Sequence, residues 1–173
     1  CAGGGHRNDI EMLSRSVPLW RSDYQCKWDC LPEANQMQNQ AAWWMPYAGI
    51  GYGPTLGDLY SFRSAYCNGM AVRTWEHADP EWEVGASGEP LDWPKKEFDE
   101  YNSIRHFFAQ DYYPLVPFSR ENSAWSASQW HDPQMQKGAI LAFRRAASPF
   151  EEVIVKLSGL LLYKEYKFTN ADN

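Results

Sequence analysis

The residue types best suited to chemistry are concentrated near the start of the sequence. A run of three glycines, Gly3, Gly4 and Gly5, lies between Cys1 and the carboxyl side chain of Asp23. Glycines have no Cβ atoms, so their backbone can approach a ligand closely and donate N–H groups to its hydroxyls. A carboxyl group can serve as a general acid or base. Neither the spacing of a phosphate-binding loop nor that of a dinucleotide fingerprint is present. Taken alone, these residues are weak evidence.

The whole opening segment is more informative because its short motifs follow one another in a fixed order. It reads Cys-Ala-Gly-Gly-Gly-His-Arg-Asn-Asp over 1–9, Met-Leu-Ser-Arg over 12–15 and Trp-Arg-Ser-Asp over 20–23. This order resembles glycoside hydrolase family 36, the bacterial and plant α-galactosidase group. The signature of that family is Cys-x-x-Gly-Gly-Gly-Arg-x-Asp, a Met-Leu-x-Arg helix and Trp-x-Ser-Asp. His6 departs from this signature, because it stands at the position where the signature has its third glycine.

Further family landmarks occur along the rest of the chain, so that the resemblance covers essentially all of it. They are Trp44–Tyr47, Tyr60–Ala65, Asp111–Leu115, the stretch from Trp125 to Phe143, and Phe143–Arg145.

The resemblance implies a role for each residue that matches the signature. Asp23 would be the general acid/base of a retaining glycosidase, and Cys1 with the backbone of Gly3 and Gly4 would line the sugar subsite around the 2-hydroxyl. A bulkier 2-acetamido group would crowd that segment, which favours galactosides over N-acetylgalactosaminides. The implied reaction is hydrolysis of terminal α-galactosides with retention, and neither a metal nor a cofactor is expected.

A retaining glycosidase needs two carboxyls about 5–5.5 Å apart, one as nucleophile and one as acid/base. The family nucleophile sits in a Lys-Trp-Asp motif, and Lys27-Trp28-Asp29 has that sequence. In the family, however, the motif precedes the glycine loop, whereas here it follows Asp23. We therefore do not assign Asp29 as nucleophile. We expect the nucleophile to be missing, the sequence to be a fragment and the isolated chain to be inactive.

Two other functions stay open at this stage. The first is a non-catalytic carbohydrate-binding module that uses tryptophans such as Trp43, Trp44 and Trp75. The second is a raffinose-synthase-like transferase, which would keep the same site but pass the glycosyl group to a sugar. Core packing is the more ordinary use for aromatic side chains, because they bury large areas.

Composition restricts the partners further. The 173 residues carry a formal net charge of −6, which argues against nucleic acid because such proteins need a basic face. No run reaches the roughly 18 apolar residues of a membrane span. Expected partners are therefore a carbohydrate substrate, the remainder of a parent chain and, as an open alternative, further copies of the chain. The four cysteines form no zinc pattern, although Cys26 and Cys30 could form a local disulfide.

The predicted elements alternate between strands and helices in the first two thirds of the chain. We predict helices at 9–14, 32–42 and 98–109, strands at 19–22 and 42–45, a hairpin of 123–130 with 138–145, and strands at 152–157 and 163–169. The predicted fold class is α/β plus β, namely the C-terminal part of a (β/α)₈ TIM barrel followed by the start of an antiparallel β-sandwich. Residues 1–113 would form the last barrel units, and residues 114–173 the partial sandwich.

Overall fold

The computed structural model describes residues 31–40, 50–53, 59–72 and 93–172. In chain order these residues form α1 (Leu31–Gln40), β1 (Ile50–Gly53), α2 (Leu59–Ser64), β2 (Gly69–Val72), α3 (Trp93–Ile104), a 3₁₀ helix (Arg105–Ala109), β3 (Asp111–Pro114), β4 (Trp125–Asp132) and β5 (Lys137–Arg144).

The structure confirms two of the predicted helices, with shifted ends. The helix predicted at 32–42 is α1, and it carries Pro32 in its first turn, where a missing N–H costs nothing. The helix predicted at 98–109 begins earlier, because α3 starts at Trp93 with Pro94 next to it. Its last predicted turn is a tighter 3₁₀ helix, closed by a 2.9 Å bond from the N–H of Gln110 to the carbonyl of Phe107. None of the described helices is long and apolar enough to cross a bilayer.

The predicted hairpin is confirmed and belongs to a three-stranded antiparallel sheet in the order β3-β4-β5. Trp125 pairs with Arg144 at one end of the β4–β5 ladder, and Asp132 pairs with Lys137 at the other. The turn is held by Asp132, whose Oδ1 accepts the N–H groups of Gln134 and Met135 at 2.8 and 2.9 Å. Such a side-chain bond to the backbone two or three residues on is typical of aspartate in turns.

An aromatic core lies between the helices and one face of this sheet. Phe108 meets Trp130 edge to face with ring centroids 4.9 Å apart, and Tyr112 lies 5.3 Å from the same indole. Edge-to-face pairs of this kind are preferred by aromatic rings. The buried members of the core are Phe62, Tyr66, Tyr101, Phe107, Phe108 and Trp130.

The barrel part of the predicted fold class is wrong for the described residues. A (β/α)₈ barrel is built from parallel strands alone. Here one parallel pair is present: β1 and β2 run from Ile50↔Gly69 to Gly53↔Val72, with α2 between them in sequence. Every other described pairing is antiparallel, and no barrel is evident in this part of the chain. The alternation of strands and helices misled the prediction because a single β-α-β unit produces the same pattern.

The sandwich part is also wrong, because residues 152–157 and 163–169 are not strands. A side chain holds this part of the chain in place of the backbone hydrogen bonds expected between strands. Gln129 donates to the carbonyl of Ser158 at 2.8 Å and accepts its N–H at 3.0 Å. Next to it, Gly159 turns the chain with a φ of 73°, a conformation that suits glycine. The C-terminal segment therefore attaches to β4 through side chains instead of adding strands.

Several sequence-based expectations fall outside the described residues. The helix at 9–14 and the strands at 19–22 and 42–45 are among them. The division into residues 1–113 and 114–173 stays a prediction.

Candidate functional site

The residues predicted from the family signature lie outside the described part of the chain. This applies to Asp23, Cys1, Gly3 and Gly4, and equally to Asp29. Their arrangement stays a prediction, and the candidate site below consists of the polar groups that the described residues bring together.

A buried polar seam runs between α1, α2 and the β4–β5 hairpin. The helix α1 turns four amide side chains toward the interior together with Ala34, and every member of the seam is at most 7% exposed. Buried polar groups are tolerated when they are hydrogen-bonded. The polar seam consists of Asn35, Gln36, Asn39, Gln40, Ser64, Ser126 and Arg145.

Two asparagines of the polar seam hold the end of α2. The last carbonyls of a helix have no partner within it and need donors from elsewhere. The Nδ2 of Asn39 donates to the carbonyl of Ser64 at 3.0 Å and to that of Tyr66 at 2.9 Å. One turn earlier, Asn35 donates to the hydroxyl of Ser64 at 3.1 Å. The amides of Asn35 and Asn39 thus tie the end of α2 to α1.

Arg145 is the charged member of the polar seam, and 1% of it is exposed. Its Nε donates to Oε1 of Gln36 at 3.0 Å, and its Nη1 donates to the carbonyls of Ser119 and Glu121 at 2.8 and 2.9 Å. All three acceptors are neutral. Burial therefore lowers the pKa of Arg145, while Tyr60 and Glu33 oppose that shift.

Two atoms of the polar seam have no hydrogen-bond partner, namely Nη2 of Arg145 and Oε1 of Gln40. One is a donor and the other an acceptor. Leaving such a group unpaired in a buried position is costly, so each of these atoms would gain from a hydroxyl or amide group. The polar seam holds no pair of carboxyls that could perform glycoside cleavage.

A second cluster of charged groups joins α2 to α3. Arg63 forms a bidentate pair with Glu100, from Nε at 2.8 Å and from Nη2 at 2.7 Å. The hydroxyl of Tyr66 donates to the same carboxylate at 3.0 Å, and Asp172 binds the other side of the guanidinium. The Glu100 hydrogen bond is the main cause that raises the pKa of Arg63, whereas burial comes first for the raised pKa of Tyr66.

The described histidines do not form a metal site. His131 is 2% exposed on β4, and its Nε2 has no hydrogen-bond partner, whereas His106 is exposed. No group of three potential metal ligands occurs among the residues for which the structure gives positions. His6 and His77 lie outside these residues.

Trp125 and Trp130 serve the fold. Trp130 is 4% exposed in the aromatic core. The indole N–H of Trp125 donates to the carbonyl of Phe150 at 3.1 Å and so fixes the chain after β5. Trp43, Trp44 and Trp75, which the binding-module hypothesis needs, lie outside the described residues.

Comparison with known protein families, with curated proteins and with solved structures finds no match to this chain.

The polar seam was not predicted from the sequence, although a signal for it exists. Asn35, Gln36, Asn39 and Gln40 recur at the spacing of one helix face. Four amides on one face of a helix indicate a face that meets polar partners. The partner Arg145 lies more than a hundred residues away, and no local pattern announces it.

Proposed function

We propose that this chain carries the acid/base carboxyl of a retaining glycoside hydrolase that acts on terminal α-galactosides, and that Asp23 is this carboxyl. The observation that carries the proposal is the order of motifs from Cys1 to Asp23, in which the glycine run and Trp-Arg-Ser-Asp stand at the separation found in the α-galactosidase group.

Two of the downstream landmark segments contact each other in the fold. The ring of Tyr60 meets that of Phe143 edge to face, with centroids 5.5 Å apart. The hydroxyl of Tyr60 donates to the carbonyl of Arg144 at 3.2 Å. Segments that look like landmarks of one family, and that lie 84 residues apart in sequence, thus touch in the fold.

In this proposal Asp23 protonates the leaving oxygen and then activates the water that releases the sugar. A second carboxylate must attack the anomeric carbon. In this proposal Asp29 does not fill that role, and the sequence supplies no nucleophile. The chain by itself therefore binds the glycoside without cleaving it. We expect no release of nitrophenol from an aryl α-galactoside, and turnover that Asp29→Asn abolishes would contradict these assignments.

The substrate class follows from the segment around Cys1, Gly3 and Gly4, which would leave little room at the sugar C2 position. We expect galactose to bind more tightly than N-acetylgalactosamine in a calorimetric titration. Gly3→Ala and Gly4→Ala should weaken both sugars, because an added Cβ would push the sugar away from the backbone. Equal affinity for the two sugars would remove the basis for choosing galactosides.

The transferase alternative uses the same residues and differs only in the acceptor of the glycosyl group. The product formed by the complete enzyme with an acceptor sugar present separates it from hydrolysis. The binding-module alternative predicts sugar binding that survives Asp23→Ala and depends on exposed tryptophans. Trp130 cannot contribute to such binding, because it is enclosed in the aromatic core.

A further inference from the structure

The segment from Glu151 to Leu157 is an unusual feature of the surface. Its residues alternate between exposed and half-buried from Glu152 to Leu157, as in an extended chain with one face against the protein. Ile154, in the middle of the outward face, is 99% exposed. An extended segment with an exposed edge is a template for pairing with another chain.

Both ends of the segment are fixed to the sheet, whereas its middle is not. Trp125 holds the carbonyl of Phe150 at 3.1 Å, and Gln129 holds both backbone groups of Ser158. Between these points, the described structure records no backbone hydrogen bond for residues 151–157. The backbone donors and acceptors of a held, strand-like segment are thus left for a partner.

The sequence of the segment is complementary to itself. When two copies pair antiparallel about a two-fold axis through Ile154, Glu152 of each copy lies opposite Lys156 of the other. Val153 then lies opposite Val155. Opposite charges and β-branched residues directly across from each other stabilise antiparallel strands. A two-fold contact of this kind uses the same surface on both copies.

The exposed edge of β5 differs in this respect. Pairing two copies of β5 along its whole length would place Lys137 opposite Arg144 at both ends, so like charges would meet. Like charges directly opposite each other destabilise a pair of strands. Charged side chains of this type keep edge strands from pairing with other chains. Two paired copies of β5 would therefore bring like charges together, whereas two paired copies of residues 151–157 would bring opposite charges together.

We propose that residues 151–157 form the contact of a homodimer, in which two copies of this segment pair as antiparallel strands about Ile154. Because the contact is short, the dimer is weak and depends on concentration. This inference is independent of the proposed glycosidase function, since it uses none of the residues assigned to the sugar site.

Charge reversal tests the contact in a specific way. Light scattering and sedimentation over a range of concentrations should show that the wild-type chain dimerises. Glu152→Lys places two lysines opposite each other at both ends of the contact, and Lys156→Glu places two glutamates there. We expect each variant to dissociate about tenfold more readily. An equimolar mixture of the two variants should form a heterodimer again, because every opposing pair then has opposite charges.

The control is Glu165→Lys, a charge reversal at an exposed position outside the pairing register. It should leave the dimer unchanged, and circular dichroism should show that all three variants keep the fold. A wild-type chain that stays monomeric throughout, or a dimer that neither reversal weakens, would overturn the proposal. Failure of the mixed variants to associate would equally exclude the register through Ile154.

Discussion

The guanidinium of Arg145 and the side-chain amide of Gln36 are joined by a 3.0 Å hydrogen bond although 109 positions separate them in sequence. This bond links the first described helix to the end of the last strand. Because both residues are at most 1% exposed, it lies wholly in the interior. The polar seam around it connects the helical part of the chain to the antiparallel sheet.

Replacing Arg145 with methionine should destabilise the fold strongly. The buried side chain of Gln36 would lose its donor while remaining enclosed, whereas the carbonyls of Ser119 and Glu121, which belong to partly exposed and exposed residues, could turn to water. We expect a loss of roughly 1–3 kcal/mol in the free energy of unfolding, measured by urea denaturation, because a buried unpaired acceptor carries the full desolvation cost.

Arg145→Lys is the matched control for this prediction. An ammonium keeps the charge but cannot reach three acceptors in the plane of a guanidinium fork. We expect it to recover part of the lost stability. If the methionine variant unfolds at the same urea concentration as the wild-type chain, the polar seam does not hold the structure together.

The pair of Arg63 with Glu100 should contribute more to stability than the pair of Lys95 with Asp99. The Arg63 and Glu100 side chains are 14% and 25% exposed and bind in bidentate geometry, whereas those of Lys95 and Asp99 are 81% and 64% exposed. We expect Arg63→Met to cost about 1–2 kcal/mol and Lys95→Met less than about 0.5 kcal/mol. Equal losses in thermal unfolding would contradict this order.

Glu97 should make stability fall as the pH rises. Burial first, and then the charge of Glu100, raise the pKa of Glu97 above its ordinary value of 4.5. The folded state therefore binds this proton more tightly than the unfolded state. The resulting stabilisation is fully present below the unfolded pKa and is lost as the pH rises through the folded pKa.

The variant Glu97→Gln isolates this effect, because a neutral amide does not titrate. It should raise the free energy of unfolding at about pH 7, while the gain should largely disappear near pH 4. Glu165→Gln, at an exposed position, should leave stability almost unchanged. A gain from Glu97→Gln that is the same at both pH values would have another cause.

Two glycines of the sheet region should respond differently to alanine. A Cβ at Gly138 would lie 2.2 Å from the carbonyl oxygen of Trp130, which the β4–β5 ladder holds in place. A Cβ at Gly159 would lie 2.9 Å from the ring of His131, a side-chain atom instead of a backbone oxygen, in a backbone with a φ of +73°. We expect Gly138→Ala to cost about 2–4 kcal/mol and Gly159→Ala about 1–2 kcal/mol. Denaturation curves with the reverse order would contradict this account.

Local patterns predicted the local elements of this fold. The alternating runs on either side of His131-Asp132-Pro133 predicted the hairpin, and its turn depends on a bond that Asp132 makes to its own neighbours. The helix α1 was predicted from the proline in its first turn and from the residues that follow this proline. These elements depend on interactions between residues that are close in sequence, and such interactions leave a pattern that can be read.

Non-local interactions explain the errors in the predicted fold. The segment at 152–157 has the alternation of a strand, but Gln129 binds Ser158 through its side chain, and no pattern within the segment indicates this. The polar seam depends likewise on Arg145, which is distant from α1. In the candidate site, the amide face of α1 could have been noticed from spacing alone, whereas its partner could not.

The binding of a galactose-configured iminosugar tests the assignment of Asp23 most directly. Its ammonium mimics the positive charge that develops on the sugar ring, and Asp23 attracts it in the deprotonated form in which it also activates water. In a calorimetric titration, the wild-type chain should bind this ligand, Asp23→Asn should bind it at least about tenfold more weakly, and Asp29→Asn should bind it as the wild type does. Binding that survives Asp23→Asn, or that Asp29→Asn abolishes, would contradict the account, as would a wild-type chain that does not bind the iminosugar.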